Sequence, residues 1–269
     1  MMTAATDSRV GWNEQTVEVC GGPLHIAVAG SGRPIVVLPR DQGHPPKTEF
    51  LDQLARSGEV YYPWLAGFHN GFPDRWDWLT NVRDLAIVHR QMLDALGLER
   101  PVLVGLGFGG WVAAEIATMA APSLSALVLV SAMGIKPTKG FIFDQFLVST
   151  AHYARTKFRD EDTFNEIYGA ETSFEQLEAW ETDREMTERL AWKPYMYNVS
   201  LPRLLSGVDA PALILWGEQD EVVPLECAEI YKDALSQATL TVVPDCGHEV
   251  ELEWPERLLG AVSSFLGRA

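Results

Sequence analysis

Two polar side chains with catalytic potential follow apolar runs in the last quarter of the chain. Asp220 closes the segment Leu215–Asp220, and His248 closes the segment Pro244–His248. An imidazole held by a carboxylate is a competent general base, because histidine changes its charge near neutral pH. The spacing therefore predicts that His248 takes a proton from a substrate or from water, and that Asp220 orients its ring.

The segment Gly105–Gly110 reads G-x-G-x-x-G and lies between a predicted strand and a predicted helix. That pattern is typical of dinucleotide-binding turns, in which an acidic residue at the end of the next strand binds a ribose hydroxyl. Here the next strand, Leu127–Val130, is followed by Ser131 and Ala132. The same residues also match G-x-S-x-G, the strand-to-helix turn that presents a nucleophile, with Gly107 in place of the serine.

The order along the chain, a glycine turn followed by Asp220 and then His248, resembles the α/β-hydrolase fold family. The resemblance covers essentially the whole chain and points to the branch of lidded esterases, C–C hydrolases and dehalogenase-like enzymes. Phe108–Trp111 is similar to the residues that follow the nucleophile in that family. The resemblance implies a nucleophile at the position of Gly107, a proton shuttle at His248 and an orienting acid at Asp220. Because glycine has no side chain, no covalent intermediate can form at this position.

The residues that would bind an oxyanion also depart from the family pattern. Family members commonly carry His-Gly after the third strand, whereas this chain reads Pro39–His44. By position Asp41 falls near the expected backbone donor, where its carboxylate would repel a developing oxyanion unless it points to solvent or pairs with Arg40. The backbone N–H of Phe108 is still expected to serve as one polar donor.

These departures leave several functions open. The first is an enzyme of this superfamily acting on a small apolar or aromatic carbonyl or ester-type compound, with the His248–Asp220 pair as base and Gly107 at the vacant nucleophile position. Gly107 is then native and the chemistry non-hydrolytic or water-activating, or the glycine was introduced to remove a nucleophile. The second is a catalytically silent ligand-binding protein that keeps the pocket. The third is a dinucleotide-binding oxidoreductase, for which NAD(P) would be the cofactor.

The elements around these motifs alternate between strands and helices. This alternation predicts an α/β fold with a mainly parallel, doubly wound sheet, whose ligands bind at the carboxyl ends of the strands. The strand pattern stops over residues 134–207, which are richer in charge and aromatics and mostly helical. We therefore expect a core formed by residues 1–133 and 208–269, and a helical lid formed by residues 134–207.

Aromatic side chains in and near this lid are candidate substrate-binding residues. They are Trp111, Phe143, Trp192, Tyr195 and Tyr197. Their functional interpretation is a wall around an apolar or aromatic substrate. The alternative is packing of the lid against the core.

The composition excludes several classes of partner. The 269 residues carry a formal charge of −16, which argues against nucleic acid or an anionic membrane surface. Three cysteines are too few for a disulfide framework, and no segment resembles a signal peptide or a membrane span. The histidines show no metal-ligand spacing, so we expect no metal and no cofactor. The expected protein is cytoplasmic, monomeric or homodimeric, and acts on a small molecule.

Overall fold

A mixed eight-stranded sheet forms the centre of the molecule in the computed structural model, which describes residues 10–42, 48–69, 75–120 and 124–268. The strand order is β1-β2-β4-β3-β5-β6-β7-β8, in which β1, β2 and β4 pair antiparallel and the other pairs are parallel. The strands are β1 Asn13–Val19, β2 Gly22–Gly30, β3 Pro34–Leu38, β4 Glu59–Pro63, β5 Val102–Leu106, β6 Ala126–Val130, β7 Ala212–Gly217 and β8 Ala238–Val243. The predicted α/β class with a mainly parallel sheet is confirmed.

Ten α-helices surround the sheet in the described part of the chain. They are α1 Glu49–Leu54, α2 Val82–Ala95, α3 Phe108–Ala120, α4 Thr150–Thr156, α5 Glu161–Tyr168, α6 Phe174–Ala191, α7 Leu201–Leu205, α8 Glu226–Ala234, α9 Val250–Glu253 and α10 Pro255–Leu266. Helix α2 begins at Val82, where the Asn81 side chain caps it by accepting from Asp84 N–H. None of the helices described is long and apolar enough to cross a membrane.

The central strands are buried on both faces, as parallel strands covered by helices must be. Val36, Leu38 and Leu103 contribute to one apolar cluster with α2, α3 and α8. Ile35 and Val37 contribute to the other cluster with α1 and α10. Because β3, β5, β7 and β8 run in the same direction, their carboxyl ends lie at one edge of the sheet, where the loops that carry the predicted site residues begin.

The segment between β6 and β7 contains α4–α7 and a short 3₁₀ turn at Gln145–Leu147. Part of it has an apolar cluster of its own, formed by Ala154, Phe158, Phe164 and Trp180. Helical structure was predicted here from the loss of the strand pattern. That residues 134–207 act as a lid stays a prediction.

Candidate active site

The glycine turn joins β5 to α3 at Gly107, whose φ of +50° lies in the left-handed region that glycine adopts most easily. Gly107 N–H donates to the Val130 carbonyl at 2.9 Å, and the Gly107 carbonyl accepts from Met133 N–H at 3.0 Å. A Cβ at Gly109 would collide with the carbonyl oxygens of Leu38 and Pro39. This glycine is therefore explained by the close approach of α3 to the end of β3, without any bound phosphate.

His248 and Asp220 lie in contact, although they follow different strands. His248 Nδ1 lies 2.8 Å from Asp220 Oδ2, and both side chains are fully buried. The other carboxylate oxygen of Asp220 accepts from the backbone N–H groups of Val222 and Val223 at 2.9 and 2.8 Å. Because an ionised carboxylate only accepts hydrogen bonds, Nδ1 is the donor, and the lone pair of the neutral ring is on Nε2.

The free edge of the His248 ring faces the glycine turn. A Cβ built on Gly107 would lie 3.2 Å from His248 Nε2. Nε2 is buried and has no hydrogen-bond partner among the described residues. The pair thus has the relation to Gly107 that a base needs toward a nucleophile, but Gly107 supplies no side chain.

Arg40 fills much of the space beside Gly107, and sequence reasoning missed its importance. Its side chain is fully buried, and its Nη1 would lie 2.6 Å from a Cβ at Gly107. Nε donates to Glu251 Oε1 at 2.6 Å, while Nη2 donates to Glu251 Oε2 at 2.7 Å and to the His248 carbonyl at 2.6 Å. The guanidinium is therefore held rigidly between the loop after β3 and the loop that carries His248.

A second buried carboxylate completes this ion cluster. Glu249 Oε2 lies 2.9 Å from Arg40 Nε, an ion-pair distance without hydrogen-bond geometry, and Glu249 Oε1 lies 2.7 Å from Lys157 Nζ. Burial lowers the pKa of Arg40, but the charges of Glu249 and Glu251 outweigh this effect and raise it above its ordinary value. The signal that could have found the cluster is the pair of glutamates directly after His248, together with an arginine where the family commonly carries His-Gly.

Asp41 lies in an environment that the sequence did not suggest. It neither points to solvent nor pairs with Arg40, because it is fully buried and its Oδ2 accepts from Gln145 Nε2 at 3.1 Å and from the Tyr153 hydroxyl at 3.0 Å. The carboxylate thus connects the end of β3 to the helical segment. Gly43 and His44, from the same part of the sequence pattern, lie outside the described residues.

Phe108 begins α3, so its backbone N–H belongs to the first turn, where no intrahelical acceptor exists. Its ring is fully buried and packs against Phe68 and Trp111, with centroid distances of 5.8 Å in both cases. A role of the Phe108 N–H as an oxyanion donor stays a prediction.

The aromatic residues predicted to form one wall are divided between two places. The Tyr195 hydroxyl donates to the Phe143 carbonyl at 2.7 Å, and Trp192, which is 52% exposed, packs against Phe146. Trp111 and Tyr197 instead line a separate cavity of about 140 Å³ beside Glu115. Trp111 and Tyr197 share this cavity with Leu190 of α6 and with the loop after α6. That any of these aromatic residues binds a substrate stays a prediction.

A larger cavity of about 240 Å³ lies beside the end of β3. Its lining includes Pro39, Tyr62, Trp64 and His69. Pro39 directly precedes Arg40, so this aromatic cavity adjoins the backbone that carries the buried cation. Sequence reasoning did not select these residues as a site, because they belong to no catalytic motif.

The fold, the glycine turn and the His248–Asp220 pair together define an α/β-hydrolase architecture. A sequence profile described as the alpha/beta hydrolase family matches residues 28–261, and the chain belongs to this family. Membership supports the nucleophile-turn interpretation of Gly105–Gly110 over the dinucleotide one.

The curated relatives include several hydrolases. The chain is 25% identical over 233 residues to a 2-hydroxymuconate semialdehyde hydrolase of Pseudomonas sp. strain CF600, covering 81% of this chain and 80% of the relative. It is 24% identical over 279 residues to the 2-hydroxy-6-oxo-6-(2'-aminophenyl)hexa-2,4-dienoic acid hydrolase of Metapseudomonas resinovorans, covering 97% and 93%. These names support the expectation of an enzyme.

Solved structures show the same fold. The 2-hydroxy-6-oxo-6-phenylhexa-2,4-dienoate hydrolase of Rhodococcus sp. strain RHA1 superimposes with a TM-score of 0.74 at 20% identity, covering 97% of this chain and all of that one. A bacterial membrane phospholipase A superimposes with a TM-score of 0.77 at 22% identity, covering 96% and 86%.

Proposed function

We propose that this protein is an α/β-hydrolase-family enzyme that moves a proton on a small, aromatic-derived carbonyl compound without forming a covalent intermediate. His248 is the general base and Asp220 orients it. The observation that carries the proposal is the 2.8 Å contact of His248 Nδ1 with Asp220, combined with a buried, unpartnered Nε2 beside Gly107. This arrangement holds the ring in the tautomer that a base requires.

The glycine turn at Gly105–Gly110 offers no support for acyl transfer through a covalent intermediate. Gly107 has no nucleophilic atom, and Arg40 Nη1 lies 2.6 Å from the place that a Cβ at position 107 would take. The ion pairs of Arg40 with Glu251 and Glu249 involve residues far from Gly107 in the chain. Replacement of a nucleophile by glycine at position 107 would not by itself create these ion pairs. Their presence therefore supports a native glycine over an introduced one.

The chemistry available to this pair is tautomerisation. His248 Nε2 takes a proton from an enol hydroxyl or from a carbon next to a carbonyl, and the electron pair stays on the substrate as an enolate. Asp220 stabilises the imidazolium that forms. Return of the proton to another position of the conjugated system gives the tautomer and restores neutral His248, so that all atoms and charges balance.

The names of the relatives and the larger cavity support the proposed substrate class. Two relatives are named for conjugated 2-hydroxy-6-oxo-dienoates or a 2-hydroxymuconate semialdehyde. Such compounds carry an enol, a ketone or aldehyde and a carboxylate in conjugation. The cavity of about 240 Å³ near Arg40 is lined by aromatic rings, which suits a planar conjugated or aromatic group.

The test is isotope exchange on 2-hydroxy-6-oxo-6-phenylhexa-2,4-dienoate in D₂O, followed by NMR. We expect wild-type protein to incorporate deuterium into the carbon chain at least about 10²-fold faster than His248→Ala, the lower end of what a general base contributes. The matched control is His152→Ala, since His152 is exposed on α4. Exchange that survives His248→Ala, or release of benzoate by the wild type, would overturn the proposal.

A catalytically silent ligand-binding protein is the second candidate, and one observation favours it. Neither of the two cavities described above is lined by Gly107, Asp220 or His248. In this case wild-type exchange equals that of buffer, while the dienoate binds with an affinity that His248→Ala leaves unchanged and is recovered intact. The same experiment therefore separates the two candidates.

A further inference from the structure

A second histidine–carboxylate pair lies at the wall of the larger cavity, the one of about 240 Å³. His69 follows β4 and lines this cavity, and its Nδ1 lies 3.0 Å from Asp183 Oδ2. Asp183 belongs to α6 and is fully buried, whereas the His69 side chain is 19% exposed. His69 therefore combines a buried carboxylate partner with access to a space that a ligand can enter.

Asp183 contacts His69 at two points. Its Oδ1 accepts from the His69 backbone N–H at 2.7 Å, and its Oδ2 faces Nδ1 of the ring. An unprotonated Nδ1 would direct its lone pair at the carboxylate, so the proton of the neutral ring is on Nδ1 and the lone pair is on Nε2. Nε2 lies on the ring edge turned away from Asp183, which does not itself line the cavity.

The rest of the cavity is built largely on one face of the antiparallel strands. Glu14, Ala27 and Tyr62 are paired across β1, β2 and β4, and side chains directly opposite one another share a face. The small side chain of Ala27 leaves space between its larger neighbours. Trp12 and Trp64 also line the cavity, so that its walls are mainly aromatic.

These walls suit a flat aromatic compound that carries one hydrogen-bond donor. The rings of Trp64 and His69 meet edge to face, with centroids 5.9 Å apart. Since an apolar cavity of about 150 Å³ holds benzene, a cavity of about 240 Å³ accommodates a compound of two fused rings. A neutral Nε2 accepts from a hydroxyl group but repels a carboxylate oxygen, because both atoms would present lone pairs. Glu14 at the wall adds to the repulsion of an anion.

We infer that this cavity binds a planar aromatic compound that carries a hydroxyl group, and that His69 Nε2 accepts the hydrogen bond from that hydroxyl. Asp183 is the positioning residue that sets the direction of the ring. The inference goes beyond the proposed function, because it assigns a binding residue outside the His248–Asp220 pair and involves no chemical step.

The experiment compares three naphthalene compounds by isothermal titration calorimetry at neutral pH. The probe is 2-naphthol, 2-methoxynaphthalene is the matched compound without the donor, and 2-naphthoate offers only acceptors. We expect wild-type protein to bind 2-naphthol at least about ten-fold more tightly than either of the others, the effect of one good hydrogen bond. Equal binding of 2-naphthol and 2-methoxynaphthalene, tighter binding of 2-naphthoate, or no binding of 2-naphthol would overturn the inference without any variant.

One variant tests whether the naphthalene ring occupies this cavity. Ala27→Leu fills the space from the sheet face and changes no charge, so we expect both neutral compounds to lose their binding. Val28→Leu is the control, because Val28 is the next residue of β2 and packs against the apolar cluster on the opposite face. Wild-type binding of 2-naphthol by Ala27→Leu would place the compound elsewhere and overturn the inference.

A second variant tests the hydrogen bond. His69 has a left-handed φ of +56°, which asparagine also tolerates, so His69→Asn keeps the backbone and an amide that can donate to Asp183. Its shorter side chain has no atom at the position of Nε2. We expect the affinity for 2-naphthol to fall at least about ten-fold, to that of 2-methoxynaphthalene, whose own affinity stays within about two-fold.

The control for this variant is His25→Asn. His25 lines the same cavity and also packs against Trp64, with ring centroids 5.1 Å apart, so this variant should keep the preference for 2-naphthol. A wild-type preference in His69→Asn would overturn the inference. Equal loss of both neutral compounds in His69→Asn would also overturn it, because His69 would then be only a structural link between the core and α6.

The two proposals fail separately. Deuterium exchange on the dienoate tests His248, whereas the preference for 2-naphthol is an equilibrium property that tests His69 in the absence of turnover. If exchange fails but the preference depends on His69, the binding site stands alone. If exchange depends on His248 but the preference is absent, the proposed function stands and the role of His69 fails.

Discussion

Arg40 and Glu251 form a bidentate ion pair inside the protein, with N–O distances of 2.6 and 2.7 Å and both side chains almost completely buried. The pair joins the end of β3 to α9, the short helix directly after His248. Arg40 therefore links the loop that carries His248 to the end of β3 beside Gly107.

Removing the cation alone should destabilise the fold strongly. We expect Arg40→Met to lower the free energy of unfolding by about 3–5 kcal/mol, because it leaves Glu251 and Glu249 as buried carboxylates that have lost their common cation. Arg90→Met is the control, since Arg90 forms a surface ion pair with Asp94 and should cost at most about 1 kcal/mol. Urea unfolding at neutral pH measures both, and equal losses would contradict the structural importance of the buried pair.

Restoring a serine should not restore a hydrolase. In Gly107→Ser the new Cβ would lie 2.6 Å from Arg40 Nη1, whose position is held by Glu251. We expect this variant to hydrolyse 4-nitrophenyl acetate no faster than Gly97→Ser, which places a serine at an open glycine with positive φ. A burst of nitrophenolate from Gly107→Ser alone would show that the oxyanion site and the space for a nucleophile are intact.

Asp220→Asn should reduce deuterium exchange on the dienoate by about 10²–10⁴-fold. The amide still offers an oxygen to the N–H groups of Val222 and Val223, so the loop is retained, but the ring loses the negative charge that stabilises its protonated form. Asp94→Asn on the surface of α2 is the comparison. If both variants exchange at the wild-type rate, His248 does not depend on Asp220.

The pH dependence of stability should contain a contribution from His89. Burial on α2 lowers the pKa of His89 to about 3, whereas the unfolded chain has the ordinary value near 6.5. The neutral ring is required by the fold, so this stability is present above pH 6.5 and is lost as the pH falls toward 3. Between pH 7 and pH 5 the loss is about 2 kcal/mol.

His89→Gln tests this contribution, because glutamine removes the titration and keeps a hydrogen-bond acceptor for Ala66 N–H. We expect its free energy of unfolding to fall by about 2 kcal/mol less than that of the wild type between pH 7 and pH 5. The exposed His152→Gln should follow the wild type. Parallel urea-denaturation curves for wild type and His89→Gln would contradict the assignment.

Two partly exposed tryptophans should differ in their effect on substrate binding. Trp64 lines the cavity beside Pro39, whereas Trp192 packs on Phe146 and lines neither cavity described here. We expect Trp64→Ala to raise the KM of dienoate exchange by about five-fold, the equivalent of about 1 kcal/mol, and Trp192→Ala to leave it within two-fold. A larger effect of Trp192→Ala than of Trp64→Ala would indicate that the substrate binds beside Trp192, as the sequence suggested.

The sequence by itself determined the fold class and the pairing of His248 with Asp220, because both depend on local patterns. Apolar runs bounded by turn residues define the strands, and the polar residues that directly follow parallel strands must meet at one edge of the sheet. Asp220 and His248 were predictable for this reason. The absence of a nucleophile at Gly107 is likewise a property of the residue itself.

Only the tertiary structure decided what occupies the vacant position. Arg40 and Glu251 are 211 residues apart, and no spacing rule connects them. The direction of a long side chain depends on which charges are buried near it, and that is known only once β3 and α9 are packed together. The same holds for Trp111 and Trp64, whose cavities are set by neighbouring helices and loops and not by their own sequence positions.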